Sequence, residues 1–157
     1  MDTRKRKATG CEEDYLEAIL LLEDETGCAR VNDLAHKIGV GKSAASLAVK
    51  ALIAGHYVEH DSYGLIYLTE EGRRVAKAVR RNHCIFRDFL QARLLLPLEA
   101  ADQNACRIEH VVSQDVIGRL VKYIEFTEAC RLGGLKFNGR DFECPKKDTG
   151  ECDVPLG

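Results

Sequence analysis

Glycines at 39, 41 and 55 cut residues 31–54 into two helical segments, each too short to persist as an isolated helix in water. In the first, Asn32 is placed to cap the start, Asp33 suits the positive end of the helix, and Gly39 closes it. The second is expected from about Lys42 to Ala54, with Ala45, Ala48, Val49 and Leu52 turned inward. Two short helices joined by a brief Gly-containing turn carry the helix-turn-helix signature. Directly after them, Tyr57–His60 and Leu65–Leu68 alternate like short strands around Asp61-Ser62-Tyr63-Gly64. That order predicts a winged helix-turn-helix.

The rest of the chain reads as helix. One segment is expected from about Glu12 to Glu25, with Leu16, Ile19, Leu20 and Glu23 at helical spacing and a second apolar row through Tyr15, Ile19 and Leu22. A long helix opens at Thr69-Glu70-Glu71-Gly72 with Thr69 as its cap and runs to about Leu96, where Pro97 stops it. Another spans Leu98 to about Val112, and Ser113 caps a further one reaching roughly Cys130. The expected fold is mainly α. It has a winged domain with a small β-hairpin over residues 1–72, a helical domain over 73–135, and a tail over 136–157 that reads as an arm without a core of its own.

Composition sets the outer limits. At 157 residues with 45% hydrophobic and 31% charged, the chain is one ordinary domain or two small ones sharing a core, and it is too apolar for disorder. No run approaches the roughly 20 apolar residues that cross a membrane, and the basic start at Arg4–Lys7 leads into acids rather than an apolar signal. The expectation is a cytoplasmic protein. Residues 1–93 hold 15 Lys/Arg against 14 Asp/Glu, and residues 94–157 hold 8 against 11. Charge alone therefore gives no argument for DNA, and pattern must carry it. Seven cysteines, an odd number in a cytosolic setting, point to thiols or metal ligands rather than a disulfide framework. Taken singly, each reads as a small buried apolar residue.

The segment Cys106-Arg107-Ile108-Glu109-His110 carries the chemistry. Positions i, i+3 and i+4 share one helix face, so a thiolate, a carboxylate and an imidazole can converge, three metal-ligand types of graded softness. Asp14 and Glu17 share a face of the first helix, and His83 sits at the polar edge of the long helix. Together these residues can complete a five- or six-coordinate site. No nucleophile–base pair or Gly-rich phosphate loop is legible, so neither an enzyme nor a small-molecule substrate is expected.

In this order, Glu13-Asp14-Tyr15-Leu16-Glu17-Ala18-Ile19, the winged block, Leu68–Gly72, His83 and Cys106–Ser113 resemble the diphtheria toxin repressor and manganese transport regulator family over about residues 10–130. The resemblance implies a homodimeric winged-helix repressor, with a divalent cation as co-repressor at promoters of metal-uptake genes. It makes Asp14, Glu17, His83, Cys106, Glu109 and His110 metal ligands. Asp14 and Glu17 match the manganese branch and Cys106 the iron branch, while Arg87 stands where many members carry an acid. Thiolate chemistry favours Fe²⁺ over Mn²⁺, with Zn²⁺ or Co²⁺ able to bind in vitro.

For double-stranded DNA, the candidates are Lys42 and Lys50 toward phosphates, Ser43 and Ser46 toward phosphates or base edges, and Arg30. Ala44 and Leu47 stand where relatives often present polar groups, which leaves more of the reading to DNA shape. A palindromic operator is expected to meet two recognition helices, one from each subunit of the dimer. The competing interpretation keeps the winged domain and makes Cys106 or the tail cysteines a redox sensor of transcription.

Overall fold

A computed structural model describes residues 8–129 and, beyond them, residues 136, 137, 140, 142 and 143. Residue contacts divide the chain into two compact units, Met1–Arg81 and Asn82–Gly157. The division falls within the long helix whose start holds the boundary expected after Gly72.

In the first unit, α1 (Gly10–Thr26) begins at a reciprocal cap. The Glu12 N–H donates to Thr9 Oγ1 at 3.3 Å, and the Thr9 N–H donates to the Glu12 carboxylate at 2.9 Å. The two-residue strand β1 (Ala29–Arg30) follows, then α2 (Val31–Ile38) and α3 (Lys42–Ala54). Asn32 is not the cap of α2: the helix already includes Val31, and Arg30 takes the N-cap position with no side-chain cap bond. The cause is β1, whose pairing with the wing holds Arg30 in extended backbone and fixes where the helix starts. Gly39 ends α2 at φ 77°, a left-handed conformation that glycine adopts without cost. Its N–H and that of Val40 both reach the Ala35 carbonyl at 3.0 Å, which shapes the turn into α3.

The wing is β2 (Val58–His60) antiparallel to β3 (Leu65–Leu68), with Glu59 opposite Tyr67. Its turn is tied by Asp61, whose Oδ1 accepts from the Tyr63 and Leu65 N–H groups at 2.8 Å each. β1 adds to the other edge of β3, giving the order β1-β3-β2. One core joins these elements: Leu16 and Ile19 of α1, Leu34 of α2, Ala45, Val49 and Leu52 of α3, and Val58 and Ile66 of the wing. Leu16, Ile19, Leu34, Leu52 and Ile66 have no exposed surface. Truncating any of them to Ala is in the class that costs about 2–5 kcal/mol.

α4 (Glu70–Leu94) opens under Thr69, whose Oγ1 accepts from the Gly72 N–H at 3.0 Å. In the second unit, α5 (Leu98–Ile108) and α6 (Gln114–Ala129) pack with α4 around Phe86, Ala105 and Ile117. The Val116 N–H reaches Ser113 Oγ at 3.4 Å, in keeping with the expected cap of α6. β4 (Lys136–Phe137) and β5 (Phe142–Glu143) form a two-stranded ladder within the segment read as a coreless arm. Cys130, Cys144 and Cys152 lie outside the described residues. Of the four described cysteines, none is buried as expected: Cys11 and Cys106 are exposed, Cys28 and Cys84 half-buried, and none of the four forms a disulfide. Cys11 occupies the first turn of α1 and Cys106 the last turn of α5, places where a helix end meets solvent.

Candidate metal centre and DNA-binding surface

The Cys106–His110 segment converges, though not within one unbroken helix. α5 stops at Ile108 rather than near Val112, and Glu109 is its C-cap. Glu109 keeps helical dihedrals of −57° and −30°, and its N–H bonds to the Ala105 carbonyl at 3.0 Å. The i, i+3, i+4 geometry therefore survives the end of the helix. One ligand atom from each of Cys106, Glu109 and His110 lies within 4.8 Å of the others. The Glu109 side chain has no exposed surface, whereas the Cys106 residue is exposed.

A buried carboxylate needs partners. His83 Nδ1 lies 2.8 Å from Glu109 Oε2, and His110 Nε2 lies 3.3 Å from Glu109 Oε1. His83 has a second carboxylate at its far nitrogen, with Nε2 3.0 Å from Asp102 Oδ1. Both ring nitrogens of His83 are thus engaged by carboxylates, and the ring reaches an ion only by exchanging one of these two contacts for it. Asp102 was not among the residues singled out from the sequence. Its signal was present, since it sits one turn before Cys106 on the face that leads to His110. The donor set itself fits a divalent transition ion: thiolate, buried carboxylate and imidazole, gathered with a second imidazole hydrogen-bonded to the same carboxylate.

On α1, Asp14 and Glu17 are one turn apart and half-buried, and Arg80 Nη1 lies 3.6 Å from Glu17 Oε1. Arg87 gives both Nε and Nη2 to Asp88 Oδ1, at 3.0 and 2.8 Å. That hydrogen bond raises its pKa above the ordinary value, and a guanidinium, cationic with or without it, offers no ligand atom.

Lys42, Ser43, Ser46 and Lys50 line one shallow hollow along the outer face of α3, together with Leu47. Arg30 does not join them; it is exposed on β1, opposite Leu65 of the wing sheet. α3 begins at Lys42 with Gly41 as an N-cap that makes no side-chain cap bond, so its positive end lies at Lys42 and Ser43.

A winged helix-turn-helix followed by a helical unit that gathers metal-binding side chains defines a metal-responsive DNA-binding regulator. Residues 8–66 match the family described as iron dependent repressor, N-terminal DNA binding domain, and residues 69–138 match iron dependent repressor, metal binding and dimerisation domain. The chain is 32% identical over 131 residues to the HTH-type transcriptional regulator MntR of Geobacillus kaustophilus, covering 79% of this chain and 89% of that protein. It belongs to the diphtheria toxin repressor and manganese transport regulator family.

Two solved structures are similar at the level of the fold as well. One is T. acidophilum IdeR, with TM-score 0.66, 27% identity and 85% of this chain covered. The other is the manganese regulator SloR, with TM-score 0.68, 28% identity and 82% covered. The chain spans 62% and 59% of those two longer chains. Family membership makes it a metal-dependent transcriptional repressor and not an enzyme. No helix among the described residues is long and apolar enough to cross a membrane.

Proposed function

We propose that this protein is a homodimeric repressor of metal-uptake or metal-homeostasis genes whose affinity for a palindromic operator is raised by a divalent transition metal. The observation that carries the reading is the convergence of Cys106, Glu109 and His110, with His83 hydrogen-bonded to the same buried carboxylate. The proposed ligand set is Asp14, Glu17, His83, Cys106, Glu109 and His110. Lys42, Ser43, Ser46 and Lys50 form the proposed recognition surface, and Arg30 a separate contact from the wing sheet. Such a regulator works in the cytoplasm, where its operator is.

Asp14, Glu17, Cys106 and Glu109 are each anionic when they act as ligands, so assembling them is opposed by their own repulsion. A bound divalent ion supplies the positive charge that removes this penalty. His83, clamped by Glu109 and Asp102, holds the Glu109 carboxylate in place, and His110 flanks its other oxygen. If the DNA-competent state holds the ligands in the better arrangement by 100-fold in affinity, the population shifts by about 2.7 kcal/mol in its favour.

The choice of ion stands between two arguments. The thiolate of Cys106 speaks for Fe²⁺. The preference for iron finds no support among similar proteins, where the manganese regulator SloR and a manganese-dependent repressor solved with manganese stand beside IdeR.

The test is anaerobic fluorescence anisotropy on a selected palindromic duplex, titrating Fe²⁺ and Mn²⁺ separately with chelator as control. The expected result is tight binding only with metal, lost in the His110→Ala protein while the dimer stays folded. An unchanged metal response in His110→Ala would overturn the site. Because Cys106 is exposed and not in a disulfide, the redox reading has its own signature: DNA binding that responds to oxidant in the presence of chelator.

A further inference from the structure

The recognition surface of α3 has an apolar centre. Leu47 is 70% exposed, second only to Tyr63 at the wing turn among the large apolar side chains of the first unit's described residues. On a helix of 3.6 residues per turn it projects from the side opposite Ala45, Val49 and Leu52, which fill the core. Ala44, three residues before it, is exposed on the same side. Around them stand Lys42, Ser43, Ser46 and Lys50. A single exposed leucine is ordinary on a protein surface. This one has the position that an element lying in a groove would press deepest, with cations beside it suited to the phosphates on either wall.

Two features exclude a core or capping role. Leu47 is not among the residues of the first unit's core, and it lies in the middle of α3 rather than at an end. The face also lacks the long amide or guanidinium side chains that read purines by paired hydrogen bonds; its two lysines flank the centre and its two serines are short. What an alkyl side chain can recognise in the major groove is the C5-methyl group of thymine, the one apolar feature displayed by a base edge there.

We infer that Leu47, supported by Ala44, is a specificity-determining residue that reads a thymine methyl in each operator half-site, while Lys42 and Lys50 hold the flanking phosphates. The inference rests on the DNA-binding role of α3 and adds the class of base it selects. Covering one methyl with Leu47 corresponds to about a fourfold change in affinity, and to about fifteenfold when both half-sites of a symmetric operator are changed.

The experiment selects a duplex from a random-sequence pool with the full-length, Mn²⁺-loaded protein. Each thymine is then replaced by uracil, which deletes only the methyl. Anisotropy is read for the wild type and for Leu47→Ala, whose exposed position leaves the core untouched. The expected pattern is a fourfold loss at one thymine, or two adjacent ones, per half-site for the wild type and a flat profile for Leu47→Ala, with equal Mn²⁺ affinity in both. A wild-type profile insensitive at every thymine overturns the inference, as does an identical profile in Leu47→Ala or a selected half-site lacking thymine. Each of these leaves metal-dependent DNA binding standing. Failure to enrich any duplex over the chelator control would instead remove the DNA-binding reading of α3, and the inference with it.

Discussion

Glu109 concentrates the problem that the second unit solves. A carboxylate with no exposed surface is costly unless each oxygen has a partner, and two imidazoles stand at its two oxygens. Asp102 acts one step further out, on the remote nitrogen of His83. Asp102→Asn keeps the shape and removes the charge. It is expected to weaken metal binding by about 10- to 100-fold, the range found for residues that orient a ligand, with little change in thermal stability because the side chain is 56% exposed. Isothermal titration with Mn²⁺ measures the effect, and wild-type affinity in this variant would leave Asp102 without a role at the site. Arg87 shows the reverse case, a cation where many relatives carry an acid, with its Nε and Nη2 both given to Asp88.

At the scale of elements, Glu23 and Gly72 decide how the first unit is knitted. Glu23 lies in α1, yet its carboxylate accepts from the Leu68 N–H of β3 at 3.1 Å and from Arg73 of α4 at 2.6 Å. Helical spacing alone placed Glu23 beside the apolar face of α1, and only the fold explains an acid there. Glu23→Ala is expected to cost about 2–3 kcal/mol in urea unfolding, because it strands a backbone donor and a guanidinium together. Glu23→Gln should cost less, since an amide oxygen can still accept from Leu68. A null effect in Glu23→Ala would show that water replaces both bonds.

Gly72 is needed for close approach. A Cβ built there would lie 1.9 Å from the Tyr57 carbonyl oxygen, a contact that must move either α4 or the start of the wing. Gly72→Ala is therefore expected to lower the unfolding midpoint by more than the helix propensity of Ala raises it, a loss of about 2 kcal/mol or more. A neutral result would mean that the backbone yields at no cost.

At the scale of the molecule, net charge is a poor guide to partners. The chain carries a net charge of −2, yet Lys42 and Lys50 sit on one face of α3. If Lys50 contacts phosphate in both subunits of a dimer, Lys50→Ala should reduce the magnitude of the salt dependence, the slope of log K against log salt, by about 2. Anisotropy across a range of salt concentrations reads this directly. An unchanged slope would take Lys50 off the phosphates.

The local rules were enough for much of this protein. Gly39 and Gly55 at the ends of the short helices, Thr69 opening α4 and the alternation on either side of Asp61 are signals carried by single residues or short periods, and the elements they mark formed where expected. The spacing of Cys106, Glu109 and His110 was likewise sufficient, because a helical turn converts i, i+3 and i+4 into proximity even where the helix formally ends. The tertiary structure alone decided the rest. β1 is two residues long, too short for any period, and exists only because β3 offers it an edge; with it went the start of α2. Asp102 and Glu23 have partners 19 to 50 residues away, and no local pattern encodes which distant group a carboxylate will meet. Local signals set by sterics and hydrogen bonding along the backbone are written in the sequence, whereas pairings across the fold depend on how complete elements pack.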